Sequence, residues 1–155
     1  MLIRRIKCVL LLGVFMAAPA LAELGGSAVA IPGERAVLRA SGSHVQLARF
    51  ARHDLVLPNG GEVHEFANAA GQIFAVSWQG PGKPDLRTLL GVHFAALQAE
   101  NLRRSRVPRL RRQPMTLASS DLTITSGGHM GWFWGVAMLP ALTPAGVTAA
   151  DLQQR

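Results

Sequence analysis

The sequence predicts an α+β domain: an antiparallel sheet made from two hairpin systems, with one main helix packed on one face. Three observations predict it. Short strand-like runs between His44 and Gln79 are separated by two turn signals, Pro58-Asn59-Gly60-Gly61 and Asn68-Ala69-Ala70-Gly71. Leu86, Leu89, Leu90, His93, Phe94 and Leu97 then recur at helical spacing. Finally, Leu122–Ser126 and His129–Leu139 flank Gly127-Gly128 as a second hairpin.

The chain opens with Arg4, Arg5 and Lys7, an apolar run from Cys8 to Ala18, Pro19, and the small-x-small triplet Ala20-Leu21-Ala22. That is the pattern of a cleaved export signal over residues 1–22, with the cut expected between Ala22 and Glu23. As a helix the apolar run would rise only ~16 Å, against roughly 30 Å of bilayer core, so a membrane anchor is the poorer reading. No transmembrane span is expected after its removal, and the product is expected in the periplasm or secreted. Cleavage removes the one cysteine and takes the net charge from +7 to +4. A mature chain of roughly 130 residues can still bury about two thirds of its unfolded surface, enough for one domain without disulfides.

Glu23 to Ser43 is rich in Gly, Ala and Pro and has no clear period, so it is expected as a flexible N-terminal arm. The single domain is expected over residues 44–155. With Asn59-Gly60 as a two-residue loop, Leu55 would face His64. With Gly71 left-handed in a three-residue loop, Phe66 would face Phe74. One face then collects Leu55, Leu57, Phe66, Phe74, Val76 and Trp78, and the other holds Asp54, Glu65 and Ser77. Pro84 and Asp85 signal a helix start, and the helix is expected to run to about Leu102 with its stripe on the aromatic face.

Arg103, Arg104, Arg106, Arg109, Arg111 and Arg112 follow without an intervening acid, around Pro108. Such guanidiniums can grip phosphate or carboxylate bidentately, so they are a candidate surface for an anionic envelope component. A solvated linker accounts for the same residues. No aromatic side chain interleaves with them, which argues against specific nucleic-acid readout. In the second hairpin, Met130, Trp132, Trp134, Val136 and Met138 would share a face with Thr123 and Thr125. Trp132 and Trp134 are either buried beneath the tail or form a platform for a sugar ring, a peptide or another exported protein.

The strings Gly71-Gln72-Ile73-Phe74-Ala75-Val76-Ser77-Trp78-Gln79-Gly80-Pro81, Pro84-Asp85-Leu86 with Leu89-Leu90-Gly91, Ser126-Gly127-Gly128-His129-Met130, Leu139-Pro140 and Pro144-Ala145-Gly146-Val147 occur in this order. With the leader, the chain resembles a family of small secreted bacterial proteins catalogued only as a domain of unknown function. The resemblance spans about Leu24 to Asp151. It implies an envelope or extracellular setting and no particular chemistry.

The remaining chemical candidates are weaker. His44, His53, His64, His93 and His129 lack zinc spacing and a cysteine, and interior histidines on the core face explain them better than a metal site. Ser126 and His129, with Asp121 or Asp85 to orient the ring, could serve a small serine-type hydrolase. The hydrolase elbow and identifiable oxyanion donors are missing. Phosphate-cradling and dinucleotide glycine motifs are absent, so no cofactor is expected. The preferred function is a non-enzymatic binding or accessory protein of the cell envelope.

Overall fold

The computed structural model describes residues 22–107 and 113–153. Seven antiparallel strands form one sheet: β1 (Ser41–Gln46), β2 (Ala51–Val56), β3 (Glu62–Ala67), β4 (Ile73–Pro81), β5 (Met115–Ala118), β6 (Thr123–His129) and β7 (Trp132–Met138). Their order across the sheet is β1-β2-β3-β4-β7-β6-β5. The fold class is therefore α+β, with a four-strand meander joined through β4 to a three-strand one.

Among the described residues the α-helices are α1 (Ile31–Leu38), α2 (Leu86–Leu90), α3 (Phe94–Ser105) and α4 (Ala149–Leu152). Asp85 caps α2, its carboxylate accepting from the amides of Arg87 at 3.0 Å and Thr88 at 3.3 Å and from the Thr88 hydroxyl at 2.8 Å. Two of the amides left orphaned at the helix start are satisfied in this way. The single helix expected from Asp85 to Leu102 is broken at Gly91, whose φ of 50° and ψ of −125° lie outside the helical region. A 3-10 turn, Gly91–His93, joins the two pieces. Leu89, Leu90 and Leu97 nevertheless stay on one buried stripe.

The segment expected as a loose arm is ordered. Leu24 N–H donates to Leu89 O, Gly25 N–H to Ile73 O, and Ile73 N–H to Gly26 O. Leu24 is buried, as are Ile31 and Glu34 on the inner side of α1. Long-range bonds to Leu89 and Ile73 anchor the start of this stretch, and those partners have no local signature in the sequence.

The register of the meander also corrects the sequence reading. Gly60, at φ +79°, closes a three-residue loop in which Leu57 and Gly61 pair, so Leu55 faces Val63 and Asp54 faces His64. Gly71, at φ +74°, does take the left-handed position, and Ala67 faces Ile73. A bulge between Phe66 and Ala67 then moves Phe66 opposite Ala75. Because side chains alternate, these one-residue displacements exchange faces. Val63, Val76 and Trp78 pack with Leu89, Leu90 and Leu97 under the helices. Phe66 and Phe74 instead belong to a second core on the opposite face, with Val136, Val147 and Leu152. Phe50 completes it, edge-on to Phe66 at 5.6 Å and to Phe74 at 5.9 Å between ring centres. The C-terminal segment, not the main helix, covers those rings.

In the second meander, the turn falls at Met130-Gly131 rather than Gly127-Gly128. Met130 at φ 44° and Gly131 at φ 85° form a two-residue loop between His129 and Trp132. Gly127 and Gly128 lie inside β6 because rings occupy the space a side chain would need. A Cβ at Gly127 would sit 2.7 Å from Trp134, and one at Gly128 would sit 2.6 Å from Phe133. Trp78 occupies the corresponding space over Gly135 on β7.

Candidate functional site

The face opposite the helices carries the candidate site, and register builds it. Asp54 on β2 pairs with His64 on β3, which pairs with Ser77 on β4, which pairs with Val136 on β7. The four side chains form one row across the sheet. Two residues along the same face, Gln79 pairs with Trp134, and Pro81 with Trp132. His64, Ser77, Gln79, Trp132 and Trp134 line a cavity of about 400 Å³, closed at one end by Leu152 and Gln153 of the C-terminal segment. Its volume lies within the range typical of small-ligand pockets.

The polar groups of this row are locked. Asp54 Oδ1 accepts from His64 Nδ1 at 2.6 Å and pairs with Arg52 Nε at 2.8 Å. Burial acts to raise the Asp54 carboxyl, but the hydrogen bonds from His64 and Arg52 outweigh it and hold the group below its ordinary value. With Nδ1–H committed to a carboxylate, the His64 ring has a fixed tautomer and orientation. Its Nε2 lies 3.9 Å from Glu62 Oε2, too far for a hydrogen bond. Glu62 Oε2 accepts instead from Gln79 Nε2 at 2.9 Å.

Asp54, His64 and Ser77 have the composition of a nucleophilic triad without its working contact. Ser77 is buried and stands beside His64, yet no hydrogen bond joins the two among the described residues. The imidazole nitrogen that would act as base faces along the strand toward Glu62. As placed, His64 makes no contact that would activate the Ser77 hydroxyl.

The residues singled out from sequence fall in different places. Trp132, 46 % exposed, and Trp134, half-buried, do converge on the cavity. They also share a face with Thr123, Thr125, Val136 and Met138. Ser126 and His129 are three residues apart on β6, pairing with Gly135 and Trp132 respectively, so their side chains take opposite faces. Asp85 is occupied as a helix cap, and Asp121 accepts from Ser120. The Ser126/His129 pair is therefore not assembled. Arg103 is paired with Glu100 at 2.7 Å, Arg104 donates to Gln113 O at 2.7 Å, and Arg106 is exposed at the end of α3. Arg109, Arg111 and Arg112 lie outside the described residues, as do residues 1–21 of the leader.

His53 and His64, expected on one face, lie on opposite faces. His53 stacks against His44 with ring centres 4.6 Å apart. Burial is the first cause holding the His53 imidazolium acid below its usual value, reinforced by His44 and Arg35 and opposed by Asp54. Among the described residues no three His, Cys, Asp or Glu side chains converge to hold a metal ion.

A second polar cluster lies on the helical face and has no signal in the sequence, where Glu65 is expected with Asp54 and Ser77 on the face away from the helix. Glu34 from α1 and Glu65 from β3 are both 0 % exposed. No N–H or O–H donor among the described residues reaches either carboxyl, so the two satisfy one another only if a proton lies between them. Burial raises Glu34 to about 7, helped by Glu23 and Asp85 and opposed by the Glu65 hydrogen bond. Burial also raises Glu65 to about 9, reinforced by Glu34 and opposed by Arg35. Neither residue lines the cavity described above.

No helix among the described residues is long and apolar enough to cross a membrane. No curated protein and no solved structure matches the chain. A family model described as "Protein of unknown function (DUF2844)" matches residues 20–152, and the chain belongs to that family.

Proposed function

We propose that the protein is an exported, non-enzymatic binding or accessory component of the cell envelope, and that it holds its ligand in the cavity between His64 and the Trp132/Trp134 pair. One observation carries the binding half of this reading. Two tryptophans and three polar side chains from three adjacent strands meet around one cavity, and the histidine among them is held in place by its own carboxylate partner. A fixed polar group beside an apolar wall is what orients a ligand. The basic n-region, short apolar run and Ala20-Leu21-Ala22 triplet support the export half.

The hydrolase reading through Ser126 and His129 finds no support in their opposite-facing positions on β6. The arginine stretch remains a second candidate contact for anionic envelope material, through Arg106 and its neighbours. Arg103 and Arg104 are already engaged within the chain, which weakens that reading relative to the cavity.

Export is tested by N-terminal sequencing of the full chain expressed in a bacterial host and recovered from the periplasm or medium. Glu23 is the expected first residue, and a product retaining Met1 in the cytosol overturns it. Binding is tested by titrating the product with solubilised envelope polymers while following tryptophan emission. A saturable change that Trp132→Ala abolishes is expected, and an unchanged response in that variant rules the cavity out.

A further inference from the structure

We infer that the ligand of this cavity is an uncharged saccharide, an inference that rests on the binding reading above. The first argument is charge. Among the described residues, those lining the cavity include no Lys, Arg, Asp or Glu. The two nearby carboxylates are already partnered: Asp54 with Arg52 and His64, and Glu62 with Gln79. Nothing in the wall calls for an ionic ligand, and burying an unpaired charge there would be costly.

The second argument is hydrogen-bond type. His64 donates Nδ1–H to Asp54, so in the neutral ring Nε2 presents a lone pair. Gln79 uses its amide N–H on Glu62, so its carbonyl oxygen is left as an acceptor. Ser77 Oγ, without a partner among the described residues, can donate or accept. These acceptors stand beside the Ser77 hydroxyl, the second Gln79 N–H and the indole N–H groups of Trp132 and Trp134, a mixed wall that suits a ligand whose hydroxyls both donate and accept. Hydroxyls of a sugar ring do both, while an aliphatic or aromatic ligand would leave His64 Nε2 and the Gln79 carbonyl unsatisfied.

The third argument is shape. Trp132 and Trp134 are alternate residues of one strand and stand on the same face. A pyranose has an apolar C–H face and a rim of hydroxyls, so it can lie on indole while its rim reaches across to the β3 and β4 side chains. Indole offers a large rigid surface at low entropic cost. The half-exposed position of Trp132 leaves that end of the cavity open to longer chains.

The test is titration of the mature protein with neutral trisaccharides of glucose, mannose and N-acetylglucosamine, read by tryptophan emission and calorimetry. Tetramethylammonium chloride and polygalacturonate are run alongside as a cation and an anionic glycan. At least one neutral trisaccharide is expected to bind saturably, with little dependence on added salt. Trp132→Ala should weaken it roughly tenfold or more. His64→Leu, which leaves the Asp54–Arg52 pair in place, should weaken it by a similar factor. Circular dichroism checks that both variants fold, and the exposed Trp132 is the safer of the two. Binding of only the cation or the anionic glycan, lost in Trp132→Ala, overturns the uncharged saccharide and leaves the cavity as the binding site. Silence with every probe, together with an unaltered response of Trp132→Ala to envelope polymers, overturns both.

Discussion

Glu65→Gln should flatten a loss of stability that the native chain suffers as pH rises. In the folded protein the Glu34 and Glu65 carboxyls titrate near 7 and 9, against 4.5 for a free glutamate. The folded state therefore keeps its proton after the unfolded state has released one. Stability is complete below about pH 4.5 and is lost as the pH climbs through 7 toward 9. Raising Glu65 from 4.5 to about 9 corresponds to on the order of 6 kcal/mol, at about 1.4 kcal/mol for each tenfold change in proton affinity. Water entry and relaxation around the ionised pair reduce that figure, so the expected loss between pH 5 and pH 9 is at least about 2 kcal/mol. For a domain of this size that is a fall in Tm of roughly 5–10 °C. Glutamine has nearly the shape of the protonated acid, stays neutral throughout, and can donate its amide N–H to Glu34. Thermal melts followed by circular dichroism across this interval should show a clearly shallower fall for Glu65→Gln than for the native chain. Parallel curves for the two proteins would refute the shared proton and with it the account of how these buried acids are tolerated.

Other perturbations follow from contacts already described. Asp54→Asn removes the partner of both His64 and Arg52 and should cost about 1–3 kcal/mol in urea unfolding. In the native chain the depressed Asp54 carboxyl contributes stability above the ordinary carboxylate range and loses it as pH falls below, so the variant should show less acid sensitivity there. Asn68→Ala should cost about 1–2 kcal/mol, since Asn68 Oδ1 accepts from the amides of Ala70 and Gln72 while Nδ2 donates to Leu142 O. An unchanged urea midpoint would remove the turn from the list of anchors for the C-terminal segment. Gly60→Ala meets open space but must adopt φ +79°, so about 1 kcal/mol of backbone strain is expected, and Gly60→Asn should cost less.

Much of the architecture could be read from local signals, because turns, caps and periodicity are local. Asp85, Gly71 and the Leu89/Leu97 stripe each act within a few residues of their own position. The two faces of the meander could not be assigned in this way. A three-residue loop at Gly60 and a bulge beside Phe66 each move a strand by one residue, and one residue exchanges faces. By contrast, the tryptophan strand was assigned its correct face from a misplaced turn. Moving the loop from Gly127-Gly128 to Met130-Gly131 displaces it by three residues and the pairing by six, an even number that preserves parity. The Asp54–His64–Ser77 row depends on the same registers across three strands, so its members could be named from the sequence while their meeting could not. Glu34 and Glu65 were harder still, since nothing near either residue reveals that the other will be buried against it.

The interleaving of rings with glycines has a consequence for how this family can vary. Trp78 depends on the bare backbone at Gly135, Trp134 on Gly127, and Phe133 on Gly128. In each case a methyl group and a full ring compete for one volume, so neither partner can change alone without overlap or a void. Sequences that drift here must exchange both members together, with a smaller side chain at 78 accompanying an alanine at 135. Paired replacement of that kind is a fingerprint of this sheet that can be sought among its relatives.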